Sequence, residues 1–422
     1  MRGSELAWLL GFSDPVLGVG WNPRASRAAR WRTGRMRALL DLAGAPDRAM
    51  RVVLIAGTKG KGSTAAFLAW ILHASGARAG LFTSPHLQAY RERVRVDGTL
   101  LPDAAFARRI AALRPIVRRL HRAHPDAGDP TTFELTLLLA LRAFAERSCA
   151  VAVVEVGLGG RLDATNALDP EISVITSVSY DHTAILGRTL GAIASEKAGI
   201  VRRGRPALTA EQRPAAGRAI ERVARRAGAE LRVIHPLDAH ADLGLSGSHQ
   251  RQNAALAAAA ARALGIDGPA IARGLRATAW PARFERVRGR PPIVLDGAHN
   301  GGSAEALART LRAERGAGRL ALVVGINRDK DARAVLKPLV RLASAVVVTR
   351  SSSPRAAEPA DVARVASGMT RSAVSTAPGV PAAIAAARSA AGPDGLVCVA
   401  GSLALAADAR TALGLAPPER WW

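Results

Sequence analysis

Only two cysteines occur in the 422 residues, Cys149 and Cys398, both in apolar surroundings. That excludes a disulfide framework and fits a reducing compartment, so a cytoplasmic protein is expected. Aromatic residues make up 4% of the chain, too few to build the stacking platforms that hold single-stranded nucleic acid. No apolar run approaches the ~18 residues that cross a bilayer. Met1 to Glu5 lead into no apolar core with a small-residue cleavage site, so neither a membrane span nor a secretory leader is expected. Acidic residues are outnumbered 34 to 59 by basic ones, for a formal charge of +25. Lysine is rarer still: Lys59, Lys61, Lys197, Lys330 and Lys337 are the whole set, so 54 of the 59 basic residues are arginine. The arginines are dispersed and do not alternate with aromatics, which argues for a compositional bias and against a nucleic-acid partner. The charge still draws in anionic substrates. Against that bias, a retained lysine suggests a place where a primary amine is wanted.

What is present centres on residues 52–64. Val52 to Ile55 reads as a short buried strand. Gly57, Gly60 and Gly62 then interrupt it, and an apolar helical stretch runs from Ala65 to Leu72. Strand, glycine-rich loop and helix is the arrangement that cradles phosphate, because backbone N–H groups converge where no Cβ obstructs them and the helix N-terminus adds positive dipole. Lys61 would reach the outer phosphates and the Ser63 hydroxyl a magnesium ion. The strict nucleotide loop has Ser or Thr directly after Gly-Lys, and here Gly62 intervenes. A ligand-free glycine turn is the alternative.

Along the chain, Arg- and Trp-rich residues 1–50, with Trp8, Trp21 and Trp31, predict one or two helices covering the first domain, among them Arg35 to Leu42. Ala79 to Thr83 reads as a strand ending in Ser84-Pro85-His86. The alternation over Arg91 to Val96 suits an exposed strand with Arg91, Glu92 and Arg93 on a solvated face, followed by a turn at Asp97-Gly98. Residues 102–123 predict one amphipathic helix, and Phe133 to Glu146 another. Ala150 to Val156 predicts a buried strand carrying a single carboxylate, Glu155. A lone buried charge is costly unless paired or bound to metal, and this one sits at a strand's C-terminal end, where ligands bind in open α/β sheets. A strand from Ile172 to Ser177 leads to Asp181-His182, and a helix carries Glu196-Lys197. A helix with short strands is expected over Pro206 to Leu245, and an Ala-rich helix over Asn253 to Leu264. The Pro- and Arg-rich stretch Trp280 to Pro292 reads as a linker. Strands at 293–295, 321–325, 345–349 and 396–399, alternating with helices, predict a second, smaller parallel α/β unit.

From about Gly34 to about Arg410 these stretches resemble the folylpolyglutamate synthase/dihydrofolate synthase family, of the Mur-ligase type of ATP-dependent amide-forming enzymes. The motifs are Ala56 through Ser63, Thr83 through Leu87, Glu155 through Asn166, Asp181-His182, Ser195 through Ile200, His249-Gln250 with Asn253, Arg283-Phe284-Glu285, Asp296 through Asn300, and Asp329-Lys330-Asp331. The resemblance implies an N-terminal P-loop Mur-ligase-like ATPase domain with a parallel-rich central sheet, over 1–282, and a Rossmann-like C-terminal α/β domain, over 283–422. It implies phosphorylation of a substrate carboxylate by ATP and attack of the glutamate amine on the acyl phosphate, with Mg2+ neutralising charge. ATP would be held by Gly57, Thr58, Lys59, Gly60, Lys61, Gly62, Ser63 and Thr64, with Asn253, Arg283, Asp296 and His299. Ser63 and Glu155 would hold one magnesium ion, and His182 beside Glu155 the second. Lys197 matches the family's carbamylated lysine, an anionic metal ligand that arginine could not replace. Lys61, His182 and Lys197 are thus the expected catalytic groups. Ser84, Pro85 and His86, Thr131 to Glu134 (with Thr132 and Phe133), and Leu162, Asp163 and Ala164 match pteroate-binding segments. For Asp296, a helix N-cap is the plainer reading.

Departures from the family pattern are Lys59 where Asn is usual, Ala282 before Arg283, Gly301 after Asn300, Ser179-Tyr180 before Asp181, and a short 206–247 segment. They bear on substrate identity more than on ATP and metal use. The expectation is a monomeric ligase joining L-glutamate to dihydropteroate, a reduced folate or both, with small-molecule partners only. Two alternatives are a Mur-type ligase for another carboxylate and a non-catalytic P-loop protein that binds anionic partners.

Overall fold

The computed structural model describes residues 4–12, 33–314, 318–417 and 419–420. Trp21 and Trp31 lie outside the described residues. Two sheets organise the chain. The first has eight strands: β1 (Arg51–Ala56), β2 (Ala79–Phe82), β3 (Val94–Val96), β4 (Thr99–Leu100), β5 (Val151–Glu155), β6 (Ile172–Ile175), β7 (Pro206–Ala210) and β8 (Glu230–Ile234). Their spatial order is β4-β3-β2-β5-β1-β6-β7-β8. All neighbours run parallel except the β2–β3 and β3–β4 pairs. Strands such as β1 and β5 read as continuous apolar runs because helices cover both faces of the sheet. On one side lie Thr33–Leu42, Asp103–Ala111, Arg114–Ala123 and Thr132–Glu146, whose core includes Leu39, Phe106, Leu138 and Phe144. On the other lie Lys61–Ala74, Ser248–Ala263 and Gly268–Ala277, with Phe67, Leu68, Leu256 and Ile271.

The second sheet has six strands: β9 (Glu285–Val287), β10 (Ile293–Leu295), β11 (Leu320–Val324), β12 (Ala345–Val348), β13 (Ala373–Thr376) and β14 (Leu396–Ala400), in the order β13-β12-β11-β14-β10-β9. Only β9 is antiparallel, paired to β10. The stretch read as a linker is therefore partly structured, with Glu285 to Val287 forming the edge of the second sheet.

Two other expectations are corrected. Residues 102–123 form two helices, broken before Pro115, because a proline beyond the first turn would clash with the preceding carbonyls. The charged stretch before Val96 is not an exposed strand. Tyr90–Arg93 is a 3-10 turn, β3 is buried, and Arg93 is fully inaccessible. Glu92 and Arg91 have protein partners. Glu92 accepts the amides of Leu87, Gln88 and Ala89 at 2.8, 3.0 and 2.8 Å, and Arg91 pairs with Asp103 at 2.9 Å.

The two units meet through residues distant in sequence. Arg410 donates to Gln88 at 2.8 Å and pairs with Glu285, and the chain then returns to the first sheet, where Leu100 N–H donates to Glu419 O at 2.7 Å.

The helix behind the glycine loop is fixed by a close crossing. A β-carbon on Gly274 would lie 2.4 Å from the Ile71 Cα. Backbone cannot yield as a side-chain end can, so Gly274→Ala is expected to lower stability by about 1–3 kcal/mol. Urea unfolding checks this, and an unchanged midpoint would show that the crossing has slack.

Candidate active site

The loop after β1 is held so closely that its glycines are obligatory. Gly57 has φ 148°, and a β-carbon there would lie 1.8 Å from Thr176 Oγ1. Gly60 has φ 90°, and its β-carbon would lie 2.2 Å from Asn253 Oδ1. Thr58 and Lys59 donate their amides to Ser177 O at 2.9 and 3.2 Å. The helix Lys61–Ala74 then starts without a side-chain cap, so its first N–H groups face the loop's concavity. Lys61 Nζ lies 3.4 Å from Gly57 O and 3.8 Å from Glu155 Oε1. Ser63 Oγ is 3.5 Å from the Gln250 amide nitrogen, and the neighbouring Thr64 hydroxyl is buried without a hydrogen-bond partner among the described residues.

Glu155 ends β5 beside this loop. One oxygen accepts the Ser84 amide at 3.0 Å and the other faces Lys61. Burial pushes its pKa up, with Lys61 opposing. Among the described residues no three His, Cys, Asp or Glu side chains gather as a ready cation cage. Magnesium does not need one, since it takes one or two protein oxygens and fills its sphere with water and substrate phosphate. A buried carboxylate whose pKa burial raises, at the end of the strand beside the loop that carries the Ser63 hydroxyl, fits such an ion.

Lys197 is buried near the end of the helix Leu190–Ala198 and donates to Gly57 O at 2.9 Å. Burial and then Lys61 bring its pKa down to about 7. Its neutral amine form is therefore favoured more than that of a surface lysine. Lys59 turns the other way and pairs with Asp181 at 3.3 Å, while the second Asp181 oxygen accepts the His182 amide at 3.0 Å. His182 sits at φ 49°, ψ 39°, in the left-handed region. Its pKa is lowered by burial, against the pull of Asp181.

Thr58 to Gly62, Glu155, Asp181 and His182 edge a cavity of about 450 Å³ between the two units, whereas Gly57, Ser63, Thr64 and Lys197 do not line it. The first unit lends it Thr58 to Gly62, Ser84, Pro85, Glu155, Asp181 and His182, and the second Arg283, His299, Asp329, Lys330 and Arg355. Thr131, Phe133, Glu134, Leu162, Asp163 and Ala164 also line it, though Glu134 is committed to an ion pair with Arg35 at 3.0 Å. Asp163 is committed too, accepting from Leu158 N at 2.9 Å and Thr165 Oγ1 at 2.6 Å. Thr132 faces away: its hydroxyl donates to the Leu9 and Phe12 carbonyls at 3.0 and 2.9 Å, which ties down the N-terminal helix. Asn253 braces Gly60 from behind. His86 lines a smaller adjoining cavity of about 70 Å³, shared with Ser84 and Pro85. Asp296 is not a helix cap. It accepts the Phe284 and Ala298 amides at 2.9 and 2.8 Å and so fixes the crossing between units. The capping contact belongs to Asn300, whose Oδ1 takes the Ser303 amide at 3.0 Å. His299 is held neutral, its pKa pushed down to about 4 by burial. Arg355 and Asp329 were not singled out in the sequence. Asp329 stood within a motif, but nothing distinguished Arg355 among 54 arginines.

A phosphate loop at the edge of one α/β sheet, faced across a cleft by a second α/β unit, defines a nucleotide-dependent ligase of the Mur type. The Mur ligase middle domain matches residues 55–226, and the Mur ligase, glutamate ligase domain matches residues 282–403. The dihydrofolate synthase/folylpolyglutamate synthase of Bacillus subtilis is 36% identical over 76% of this chain and 82% of its own. The Mycobacterium tuberculosis protein of the same name is 36% identical over 76% of this chain and 74% of its own. Among solved structures, Mycobacterium tuberculosis folylpolyglutamate synthase complexed with ADP and AMPPCP superposes with a TM-score of 0.85 at 34% identity, covering 91% of this chain and 96% of that one. Escherichia coli FolC in complex with DHPP and ADP gives 0.84 at 31%, covering 98% of each. The chain belongs to the folylpolyglutamate synthase/dihydrofolate synthase family.

Two outcomes follow. Gly60→Ala must displace Asn253 or the loop, and is expected to weaken ADP binding at least tenfold, about 1.4 kcal/mol, by calorimetry; unchanged affinity would show that the loop tolerates the methyl group. Lys197 gives a pH signature. Its pKa is about 7 folded and near 10.5 unfolded, so the unfolded chain binds more protons between these values and stability rises with pH across that window. In carbon-dioxide-free buffer Lys197→Met should lose this rise, seen as a flatter dependence of unfolding free energy on pH from 7 to 10.5.

Proposed function

We infer that the protein is an ATP-dependent ligase that joins L-glutamate to a folate-type carboxylate through an acyl phosphate. The observation that carries this reading is the shared cavity, where the phosphate loop, Glu155 and Lys61 of one unit face Arg283, His299 and Lys330 of the other. In this reading the chain divides into domains 1–282 and 283–422 and the nucleotide lies between them, with closure completing the site. ATP lies along Gly57 to Thr64, its phosphates on the amides of Gly60 to Ser63, which start the helix, and on Lys61, since the Thr58 and Lys59 amides are committed to Ser177 O. Ser63 and Glu155 would hold a magnesium ion, with His182 and a carbamylated Lys197 serving a second. Magnesium supplies charge neutralisation that lets two anions approach. Lys61 adds a fixed positive charge beside the transferred phosphoryl group. The large cavity's apolar wall, with Phe133, Leu158 and Ile185, receives the flat ring system of the acceptor. Its polar end presents the carboxylate to the phosphate loop.

Burial readies Lys197 to take up carbon dioxide, because it favours the neutral amine, which is packed against Gly57 O. Carbamylation would release a proton to solvent and leave an anion near Lys61 that would help to hold a magnesium ion, which accounts for a lysine where the chain otherwise uses arginine. Every group in the scheme comes from one chain, in keeping with a monomer, and both cysteines are buried and free, in keeping with the cytoplasm. No helix among the described residues is long and apolar enough to cross a membrane.

ADP release with magnesium-ATP and L-glutamate is expected to require a folate-type acceptor. Dependence on dihydropteroate defines a dihydrofolate synthase, dependence on tetrahydrofolate a polyglutamylating enzyme, and response to both a bifunctional one. Glu155→Gln should lower the rate at least 100-fold, about 2.7 kcal/mol of barrier. Silence with both acceptors from a protein that still binds ATP would move the assignment to another carboxylate.

A further inference from the structure

The smaller cavity is lined by His86, whose contact with Arg93 has no role in the scheme above, although Ser84, Pro85 and His86 stand in a segment matched to the acceptor and Arg283 in one matched to ATP. It lies between the units, and its wall includes Gly62, Glu155, His86, Arg95 and Arg283. It therefore adjoins the proposed place of acyl-phosphate formation and has two arginines in its wall, Arg95, which also donates to Gly98 O at 3.0 Å, and Arg283, which also donates to Ala282 O at 3.2 Å. Behind it Arg93 is fully buried, with its guanidinium 4.8 Å from the centre of the Tyr90 ring. Arg93 Nε donates to His86 Nδ1 at 3.2 Å. The two terminal nitrogens of Arg93 are buried without a hydrogen-bond partner among the described residues.

The direction of the Arg93–His86 bond follows from chemistry. Guanidinium nitrogens donate and do not accept. The Nδ1 atom of His86 must therefore be the unprotonated nitrogen, and the proton of the neutral ring sits on Nε2. A proton on Nδ1 would set two donors face to face beside a buried cation. Burial and Arg93 push the His86 pKa down to about 4. The other charged groups around the cavity do not reverse this. Glu92 is committed to three backbone amides and Glu155 to Ser84 and Lys61, while Arg95 and Arg283 add positive charge.

We propose that Arg93 is a positioning residue for ligation: its bond to Nδ1 fixes His86 as a neutral imidazole whose Nε2–H is offered to the smaller cavity, where with Arg95 and Arg283 it binds a carboxylate of the incoming amino acid. The proposal rests on the ligase reading above. It assigns the amine-bearing substrate to the smaller cavity and the acceptor to the larger one. An arginine behind the histidine does what a carboxylate could not, because a carboxylate would accept from Nδ1–H and turn Nε2 into an acceptor, repelling an anionic ligand.

The first test needs no turnover. Nitrogen-15 NMR of the nine histidines, with His86 assigned by its loss in His86→Gln, should show His86 as the Nε2–H tautomer from pH 5.5 to 8. An Nδ1–H tautomer, or titration near 6.5, overturns the proposal. The second is kinetic. His86→Leu should raise KM for L-glutamate at least about tenfold, the usual consequence of losing a hydrogen bond to a charged group, while KM for ATP stays put. His86→Gln, which keeps a donor near the Nε2 position, should recover most of that loss. In Arg93→Met the freed ring can adopt either tautomer. KM for L-glutamate should then rise and become pH-dependent, improving as pH falls below 6.5, since burial, the larger cause of the lowered pKa, remains and the ring becomes an obligate donor only once protonated. If Arg93→Met does not fold, the parent's NMR and the two His86 variants decide the matter. A shift in KM for ATP alone, or no shift in KM for L-glutamate, overturns the assignment. A protein that releases no ADP with any folate-type acceptor fails the ligase reading but leaves the tautomer result standing.

Discussion

Between β1 and the helix Lys61–Ala74 there is no space for a β-carbon at either Gly57 or Gly60. Thr176 closes the first position and Asn253 the second. That confinement sets the shape of the loop, and much of the site is arranged around it. The amides of Thr58 and Lys59 are committed to Ser177 O, so the loop is continuous with the segment that carries Asp181 and His182. The Gly57 carbonyl takes the Lys197 amine, which brings a third element to the same point. Two lysines therefore crowd a backbone turn already shaped for anions, and Glu155 is the buried carboxylate set against them.

Charge burial is the second organising fact. The chain carries a large excess of arginine, yet some arginines are enclosed and matched: Arg35 with Glu134 and Arg410 with Glu285. A buried ion pair adds little net stability over apolar packing, but losing one partner is expensive, so such pairs fix a geometry more than they strengthen it. Arg410 is the clearest case. It joins the second unit to Glu285 at the crossing and to Gln88 on the first unit, behind the smaller cavity. Arg93 differs because it has no carboxylate of its own and spends its directed bond on a histidine. Lys197 shows the other response to burial, its neutral form favoured more than that of a surface lysine.

The sequence on its own determined the elements whose signals are local. Apolar runs marked β1, β5, β6 and the strands of the second unit, because strands covered on both faces lose the alternation that solvent imposes. The glycines of 57–62 marked the tight turn between β1 and the helix Lys61–Ala74, because a left-handed or crowded backbone leaves little other choice. The ordered motifs carried the family. The tertiary structure alone decided what each charge faces. The run Arg91-Glu92-Arg93 has the pattern of a wetted edge, and only its placement beneath the helix Thr132–Glu146 turns Arg93 into a buried group bonded to His86. Thr132 and Phe133 are adjacent in one motif, yet helical rotation sends the first to the N-terminal helix and the second into the cavity. Asp296 follows a strand as a cap would, and only the return of the crossing segment gives it the Phe284 amide instead. Arg355 could not be told from the other arginines until the second unit folded over the loop. Backbone conformation is set mainly by neighbours along the chain, whereas the partner of a buried charge is set by neighbours in space.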